Sequence, residues 1–132
     1  MNREKIINLF KEYGVPLFRG FNADTEIFRD FSNLFSTDFL DYAGGAFNRK
    51  VIDNDQTILS VNYFQTEIKL HGEMYYQKNI PLMLWFFCAN PASQHGETTV
   101  CDGRHLFAEL SNSTKESFNL KKLKFTVRMN KE

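Results

Sequence analysis

Residues 82–89 read Leu-Met-Leu-Trp-Phe-Phe-Cys-Ala and form the longest apolar run in the chain, eight residues in all. That length matches a β-strand and falls far short of the ~20 apolar residues that a transmembrane helix needs. A continuous apolar run of strand length is typical of a strand buried on both faces. We therefore predict a central, doubly buried strand over 82–89 and no membrane-spanning segment.

The composition indicates one ordinary globular domain. Of the 132 residues, 42% are hydrophobic and 15% are aromatic, so apolar side chains for a core are plentiful. Lys and Arg number 16 and Asp and Glu number 16, and this balance argues against non-specific binding of nucleic acid. The two cysteines make no disulfide framework, and the N-terminus carries no apolar signal segment. We expect a cytoplasmic protein with free thiols.

Two helices are predicted in the N-terminal part. Residues 3–13 place apolar side chains three and four positions apart and end at Gly14, a typical helix stop. Residues 25–35 carry a stripe of Phe and other apolar residues. Asp24 precedes that stripe and is predicted to cap the helix.

Further elements are predicted downstream. Residues 104–110 indicate a short helix, and Ser113-x-x-Glu116 resembles a capping box. Residues 122–129 alternate apolar and polar side chains, which predicts a half-buried strand that needs a partner strand. The remaining candidates are strands over 15–21, 59–63, 68–73 and 98–101 and a polar turn over 53–56.

His71 and Glu73 are the candidate metal ligands. Side chains two apart on a strand point to the same face, so the imidazole and the carboxylate can share a metal ion. They would be two of the three ligands of a 2-His-1-carboxylate triad, the iron site of non-haem oxygenases. The competing interpretations are a structural His–Glu pair and a solvated Glu73 paired with Lys69. The other histidines rank lower, because His105 is expected on the surface or at a helix cap and His95 in a loop.

An ordered series of motifs surrounds this pair. The motifs are Gly14 to Phe21, Tyr42-Ala43-Gly44-Gly45 with Arg49, His71-Gly72-Glu73-Met74-Tyr75-Tyr76, Pro81, the aromatic run ending in Cys88, Asn90-Pro91-Ala92, Gly96-Glu97-Thr98 and Asp102-Gly103-Arg104. This series resembles the TauD/TfdA-like family of Fe(II)- and 2-oxoglutarate-dependent oxygenases, most closely the branch of syringomycin-biosynthesis hydroxylases. The resemblance extends over residues 14–129 and is most specific over 71–104.

The resemblance implies a fold, a site and a reaction. The implied fold is α+β, with N-terminal helices followed by part of the double-stranded β-helix, or jelly-roll, of clavaminate synthase-like proteins. His71 and Glu73 would bind Fe(II), and Thr98 would contact the co-substrate 2-oxoglutarate, unless Thr98 is an ordinary β-branched strand residue. The implied reaction is hydroxylation of an aliphatic C–H bond in an amino acid or related small acid, free or tethered to a carrier protein. A carboxylate at position 73 favours hydroxylation over halogenation, since halogenases of the family carry a small residue there.

Two departures from the family pattern stand out. His95 replaces the first glycine of the usual Gly-Gly pair, and its β-carbon is expected to restrict the turn before Thr98. The distal iron histidine and the arginine that binds 2-oxoglutarate lie far downstream in the family. We therefore expect one incomplete domain over 1–132, completed by a longer product, a missing C-terminal half or a second copy. The alternatives are an inactive fragment and a non-catalytic metal- or ligand-binding module. No nucleic-acid or membrane partner is expected.

Overall fold

Four α-helices lie within the described residues of the computed structural model, which are 2–40, 49–52, 57–61, 67–124 and 126. The helices are α1 (Arg3–Tyr13), α2 (Thr25–Asn33), α3 (Gly103–Glu109) and α4 (Asn112–Leu120). The chain divides into a first unit, Met1–Glu97, and a second unit, Thr98–Glu132. Within the described ranges, no helix has both the length and the apolar character needed to cross a membrane.

The helix α1 begins and ends where the sequence predicts. The Asn2 side chain accepts a hydrogen bond of 3.2 Å from the Lys5 amide and so caps the first turn. Gly14 ends the helix with φ 77°, and its amide donates to the carbonyl of Phe10. This left-handed conformation is open to glycine without steric cost.

The helix α2 is capped at both ends by side chains. Asp24 accepts a 2.8 Å hydrogen bond from the Ile27 amide, which confirms the predicted N-cap. The helix ends at Asn33, two residues before the predicted limit of 35. Beyond it, Arg3 Nε donates to the Leu34 carbonyl over 2.7 Å. A cation at the C-terminal end of α2 is favoured by the helix dipole, so this contact ties the start of α1 to the end of α2.

An aromatic cluster holds residues 82–89 against α2. Trp85 contacts the rings of Phe31 and Phe35, with centroid distances of 5.4 and 4.8 Å. Phe87 stacks on Phe28 at 5.2 Å with an interplanar angle of 18°. These offset-stacked and edge-to-face arrangements are the favoured geometries for aromatic pairs. The Phe stripe of α2 is therefore a packing surface, as its spacing predicts.

Residues 82–89 bury one face and expose the other. Met83, Trp85 and Phe87 are half-buried, whereas Leu82, Leu84 and Phe86 are 92%, 48% and 61% exposed. The alternation is that of an extended chain with a period of two. The prediction of a doubly buried strand is therefore wrong for the described structure. The composition of the run is apolar on both sides, but α2 supplies aromatic partners to one side alone.

Among the described residues, strand pairing is limited to one antiparallel bridge, Val51 with Leu59. The Ile52 amide donates to the Ile58 carbonyl over 2.9 Å and the Ser60 amide donates to the Lys50 carbonyl over 2.8 Å. The predicted strand over 59–63 is thus present at its first residues, while residues 62–66 and the turn expected over 53–56 lie outside the described set.

The jelly-roll part of the predicted α+β fold is not seen in the described residues. Residues 15–21, 68–73, 82–89 and 98–101 form no ladder there. A period-two pattern favours an extended backbone, but a strand also needs a neighbour to accept and donate its backbone hydrogen bonds. Of the last predicted strand, 122–124 and 126 are described, also without a ladder.

The second unit is built on α3 and α4, each with a side-chain N-cap. Asp102 accepts from the Arg104 amide at 2.9 Å and pairs with the Arg104 guanidinium at 3.2 Å. The hydrogen bond from the Arg104 guanidinium, together with the bond from the Arg104 amide, lowers the pKa of Asp102 from its ordinary value. The ionised cap therefore supports α3 at neutral pH and is lost only as acid protonates the carboxylate. Ser111 caps α4 by accepting from the Thr114 amide at 3.2 Å. The capping box expected at Ser113 thus lies two residues too late.

We predict that the same substitution has different effects on stability at two neighbouring aromatic residues. Phe87→Lys places a charge against the Phe28 ring and should lower the free energy of unfolding by about 2 kcal/mol or more. Phe86→Lys places it on the exposed face, where it should leave stability nearly unchanged and reduce self-association. Urea unfolding followed by circular dichroism and light scattering would measure both. Equal destabilisation by the two variants would contradict the one-sided packing.

Candidate metal centre

The segment that carries His71 and Glu73 leads into a tight turn, and Glu73 lies inside this turn. The Tyr75 amide donates to the Gly72 carbonyl over 3.5 Å, and the Gln77 amide donates to the Met74 carbonyl over 2.8 Å. Met74 has φ 57° and is 6% exposed, which makes it one of the few buried residues described. A buried, left-handed Met74 fixes the direction of the chain directly after Glu73.

The structure brings the two predicted ligands together. His71 Nε2 lies 3.6 Å from Glu73 Oε2. Two atoms that bind one metal ion at about 2.1 Å each lie about 3.0 Å apart at a right angle, and about 4.2 Å apart when opposite. The observed separation falls inside this range, so one ion can contact both atoms.

The His71 ring is oriented for metal binding by its other nitrogen. Nδ1 lies 2.7 Å from the Lys69 carbonyl oxygen. A carbonyl can only accept, so Nδ1 carries the proton in this contact. With the proton on Nδ1, the neutral tautomer of the ring would carry its lone pair on Nε2, the atom that lies near Glu73. Metal-bound histidines are commonly fixed in this way by a backbone carbonyl.

Glu73 is held by a residue from an earlier motif of the series, which the sequence analysis does not pair with it. Arg49 Nη2 lies 3.4 Å from Glu73 Oε1, and the side chains of Arg49 and Glu73 are 22% and 18% exposed. The proposed partner Lys69 instead pairs with Glu67, with both side chains largely in solvent. The interpretation of Glu73 as a solvated partner of Lys69 is therefore wrong. The contact with Arg49 spans 24 residues of sequence, and a spacing argument cannot find it.

No described residue adds a third ligand to the pair. The described residues contain no group of three or more His, Cys, Asp or Glu side chains that could hold a metal ion. His105 is exposed on α3, where a surface position is expected, and His95 is exposed as well. The donor set fits a borderline metal such as Fe(II) as far as it goes, since imidazole and carboxylate are two of its usual ligands.

The turn before Thr98 keeps a glycine-like conformation despite His95. His95 has φ 59° and Gly96 has φ 94°. A residue with a β-carbon reaches the left-handed region at a cost of about 1–2 kcal/mol. A β-carbon on Gly96 would in addition lie 2.8 Å from that of Ala92. Thr98 itself is exposed and begins the second unit, and its role towards 2-oxoglutarate stays a prediction.

Gly72 separates the two candidate ligands and is covered by an aromatic ring. A β-carbon on Gly72 would overlap the ring of Tyr75, whose side chain is largely exposed. The Tyr75 ring therefore lies on the side of the backbone to which a side chain at position 72 would point. The absence of a side chain at position 72 leaves room for this ring.

We predict that Gly72→Ala lowers the stability of the protein when residue 75 is Tyr and raises it when residue 75 is Ala. In the presence of Tyr75 the new methyl group displaces the ring, and the free energy of unfolding should fall by about 1 kcal/mol. With Tyr75→Ala the methyl group has room and reduces the freedom of the unfolded chain, which should raise stability by about 0.4–1 kcal/mol. Urea unfolding of the four variants completes the cycle. A Gly72→Ala effect that is independent of residue 75 would contradict the packing described.

Comparison with known families gives a match over the chain. The family model described as Taurine catabolism dioxygenase TauD, TfdA family matches residues 1–132. The match is at the level of the family and does not distinguish branches within it. The comparison with curated proteins and the comparison with solved structures each give no significant match.

Proposed function

Because the chain belongs to the TauD/TfdA dioxygenase family, we propose that His71 and Glu73 are two iron ligands of an Fe(II)- and 2-oxoglutarate-dependent oxygenase. The observation that carries the proposal is the pairing of His71 Nε2 with Glu73 Oε2 at 3.6 Å. The bond from Nδ1 to the Lys69 carbonyl leaves Nε2 free to bind. Family membership supports the general class of chemistry, and the geometry supports the two residues.

The chain's own residues would hold and orient the metal. His71 supplies a neutral nitrogen donor, and Glu73 supplies a negative oxygen donor that offsets part of the iron charge. The bound iron and 2-oxoglutarate together supply the oxidising chemistry, while the protein supplies ligation and orientation. Thr98 is proposed to contact 2-oxoglutarate through its hydroxyl group. The third iron ligand and the arginine for 2-oxoglutarate would come from outside the described residues.

The finer parts of the assignment are proposals. We propose hydroxylation of an aliphatic C–H bond in an amino acid or related small acid, free or carrier-tethered, as in the syringomycin-biosynthesis branch. The carboxylate of Glu73 supports hydroxylation over halogenation, because it fills the position that a halide would need. A reducing, cytoplasmic setting agrees with Cys88 and Cys101, which are both free thiols.

A second candidate function is favoured by the ion pair between Arg49 and Glu73. That pair alone would explain why a carboxylate is tolerated at 18% exposure. In this case Glu73 would be structural, and the chain would be an inactive or non-catalytic ligand-binding module of the family. Metal affinity separates the two candidates, since only the first assigns Glu73 a ligand role.

We predict that Glu73→Ala weakens Fe(II) binding by at least tenfold and that Glu73→Asp retains part of the affinity. Alanine removes an oxygen donor, whereas aspartate keeps the donor on a side chain one methylene shorter. Anaerobic Fe(II) titration of the three proteins measures the effect. Glu67→Ala is the matched control, because Glu67 pairs with Lys69 in solvent. Equal affinities for wild type and Glu73→Ala would support the structural role.

We also predict negligible turnover of 2-oxoglutarate by this 132-residue chain alone. Two ligands hold iron more loosely than three, and a dicarboxylate without an arginine loses a charge-assisted bidentate contact. Succinate release in the presence of Fe(II) and O₂ is the measurement. Robust turnover would show that the chain completes the site by itself and would make His95 a ligand candidate.

A further inference from the structure

The two oxygens of the Glu73 carboxylate have different neighbours. Oε1 lies 3.4 Å from Arg49 Nη2, and Oε2 lies 3.6 Å from His71 Nε2. One oxygen therefore faces a permanent cation, and the other faces the nitrogen that would bind a metal. A carboxylate with both oxygens free can bind a metal ion through one or both of them. Here the two oxygens are not equivalent before any metal arrives.

The ion pair is more enclosed than the others described. The side chains of Arg49 and Glu73 are 22% and 18% exposed. The side chains of Glu67 and Lys69 are mostly in solvent, and those of Asp102 and Arg104 are about half exposed or more. An exposed pair is screened by water and exchanges partners readily. A pair with little solvent around it is screened less and holds its geometry. Met74, the next residue along the chain from Glu73, is buried as well.

Arg49 reaches Glu73 from a separate, anchored part of the chain. The neighbouring Lys50 bonds Ser60 twice, through its carbonyl to the Ser60 amide and through its amide to the Ser60 hydroxyl. The Val51–Leu59 bridge follows directly. The arginine thus projects from a hydrogen-bonded pair of segments, and its planar guanidinium is a permanently charged donor.

We propose that Arg49 is a positioning residue, which occupies Oε1 of Glu73 so that a metal ion meets Oε2 alone and keeps one more coordination position open. This inference rests on the proposed function of His71 and Glu73 as ligands. A carboxylate that binds through both oxygens fills two positions of an octahedral ion. A site that must admit a two-atom chelating co-substrate and O₂ needs the second of these positions.

When the charge of Arg49 is removed, the proposal predicts a change in metal affinity opposite to the change that a purely structural role predicts. A guanidinium close to the site repels a divalent cation and competes for the carboxylate. Removing its charge should therefore tighten metal binding and reduce the number of coordinated water molecules. If Arg49 only supported the local fold, its removal would misplace Glu73 and weaken metal binding.

The test uses Mn(II) alone with the full chain, since Mn(II) accepts the same nitrogen and oxygen donors as Fe(II). Titration followed by water-proton relaxation gives both the affinity and the number of water molecules on the bound ion. The variants are Arg49→Met, Arg49→Gln and Arg49→Lys. Arg104→Met is the matched control, because it removes the guanidinium of the Asp102 pair. Glu73→Ala tests the ligand role itself.

For Arg49→Met and Arg49→Gln, we expect Mn(II) binding to be about three- to tenfold tighter and the bound ion to carry about one water molecule fewer. Arg49→Lys keeps the charge and should bind Mn(II) within about twofold of wild type. Arg104→Met should match wild type in both measurements. Metal-free thermal melts show whether each variant is folded.

Each other outcome overturns the inference in a recognisable way. Weaker binding or an unchanged water count in a folded neutral variant would assign Arg49 a structural role. Loss of fold in both neutral variants would do the same. Equal Mn(II) affinity in wild type and Glu73→Ala is a different failure, because it would overturn the proposed function before Arg49 is considered.

Discussion

The packing of the α2 Phe stripe against Trp85 and Phe87 is the interaction on which the first unit depends. Few residues there are deeply buried: Ile6, Ser32 and Met74 are those below a tenth exposed among the described residues. Ring-to-ring contacts therefore carry much of the apolar burial that orders the chain. The Arg3 contact with the Leu34 carbonyl fixes α1 to the same helix. These contacts link α1 to the end of α2, and α2 to the apolar run at 82–89.

Local signals at helix ends explain where sequence reasoning succeeds. Gly14 ends α1 and Asp24 caps the start of α2, as the sequence predicts. Such signals act within one turn, so the sequence alone places them to within two residues. The contact between His71 and Glu73 is local too, because Gly72 alone separates the two residues, and their role as metal ligands stays a prediction. These features require no knowledge of distant parts of the chain.

Features that depend on distant partners could not be predicted in this way. The run 82–89 is apolar on both sides, and nothing in its composition shows that α2 covers one side alone. Period-two alternation at 15–21 or 98–101 favours an extended chain, but hydrogen-bonded pairing depends on a second segment. Arg49 belongs to the same class. Its partner Glu73 lies 24 residues away. Lys69 is much nearer to Glu73 in sequence and is therefore the partner that sequence distance favours, but it pairs with Glu67.

The ion pair also explains why a carboxylate can lie at low exposure beside His71. A carboxylate that loses most of its water needs a compensating cation. Arg49 supplies one at Oε1, whereas Oε2 lies near His71 Nε2. The other ring nitrogen of His71 contacts the backbone carbonyl of Lys69. A structural salt bridge and a prepared ligand pair are thus compatible in this segment. The arginine that makes Glu73 tolerable when no metal is bound is the same group that limits how Glu73 can meet a metal.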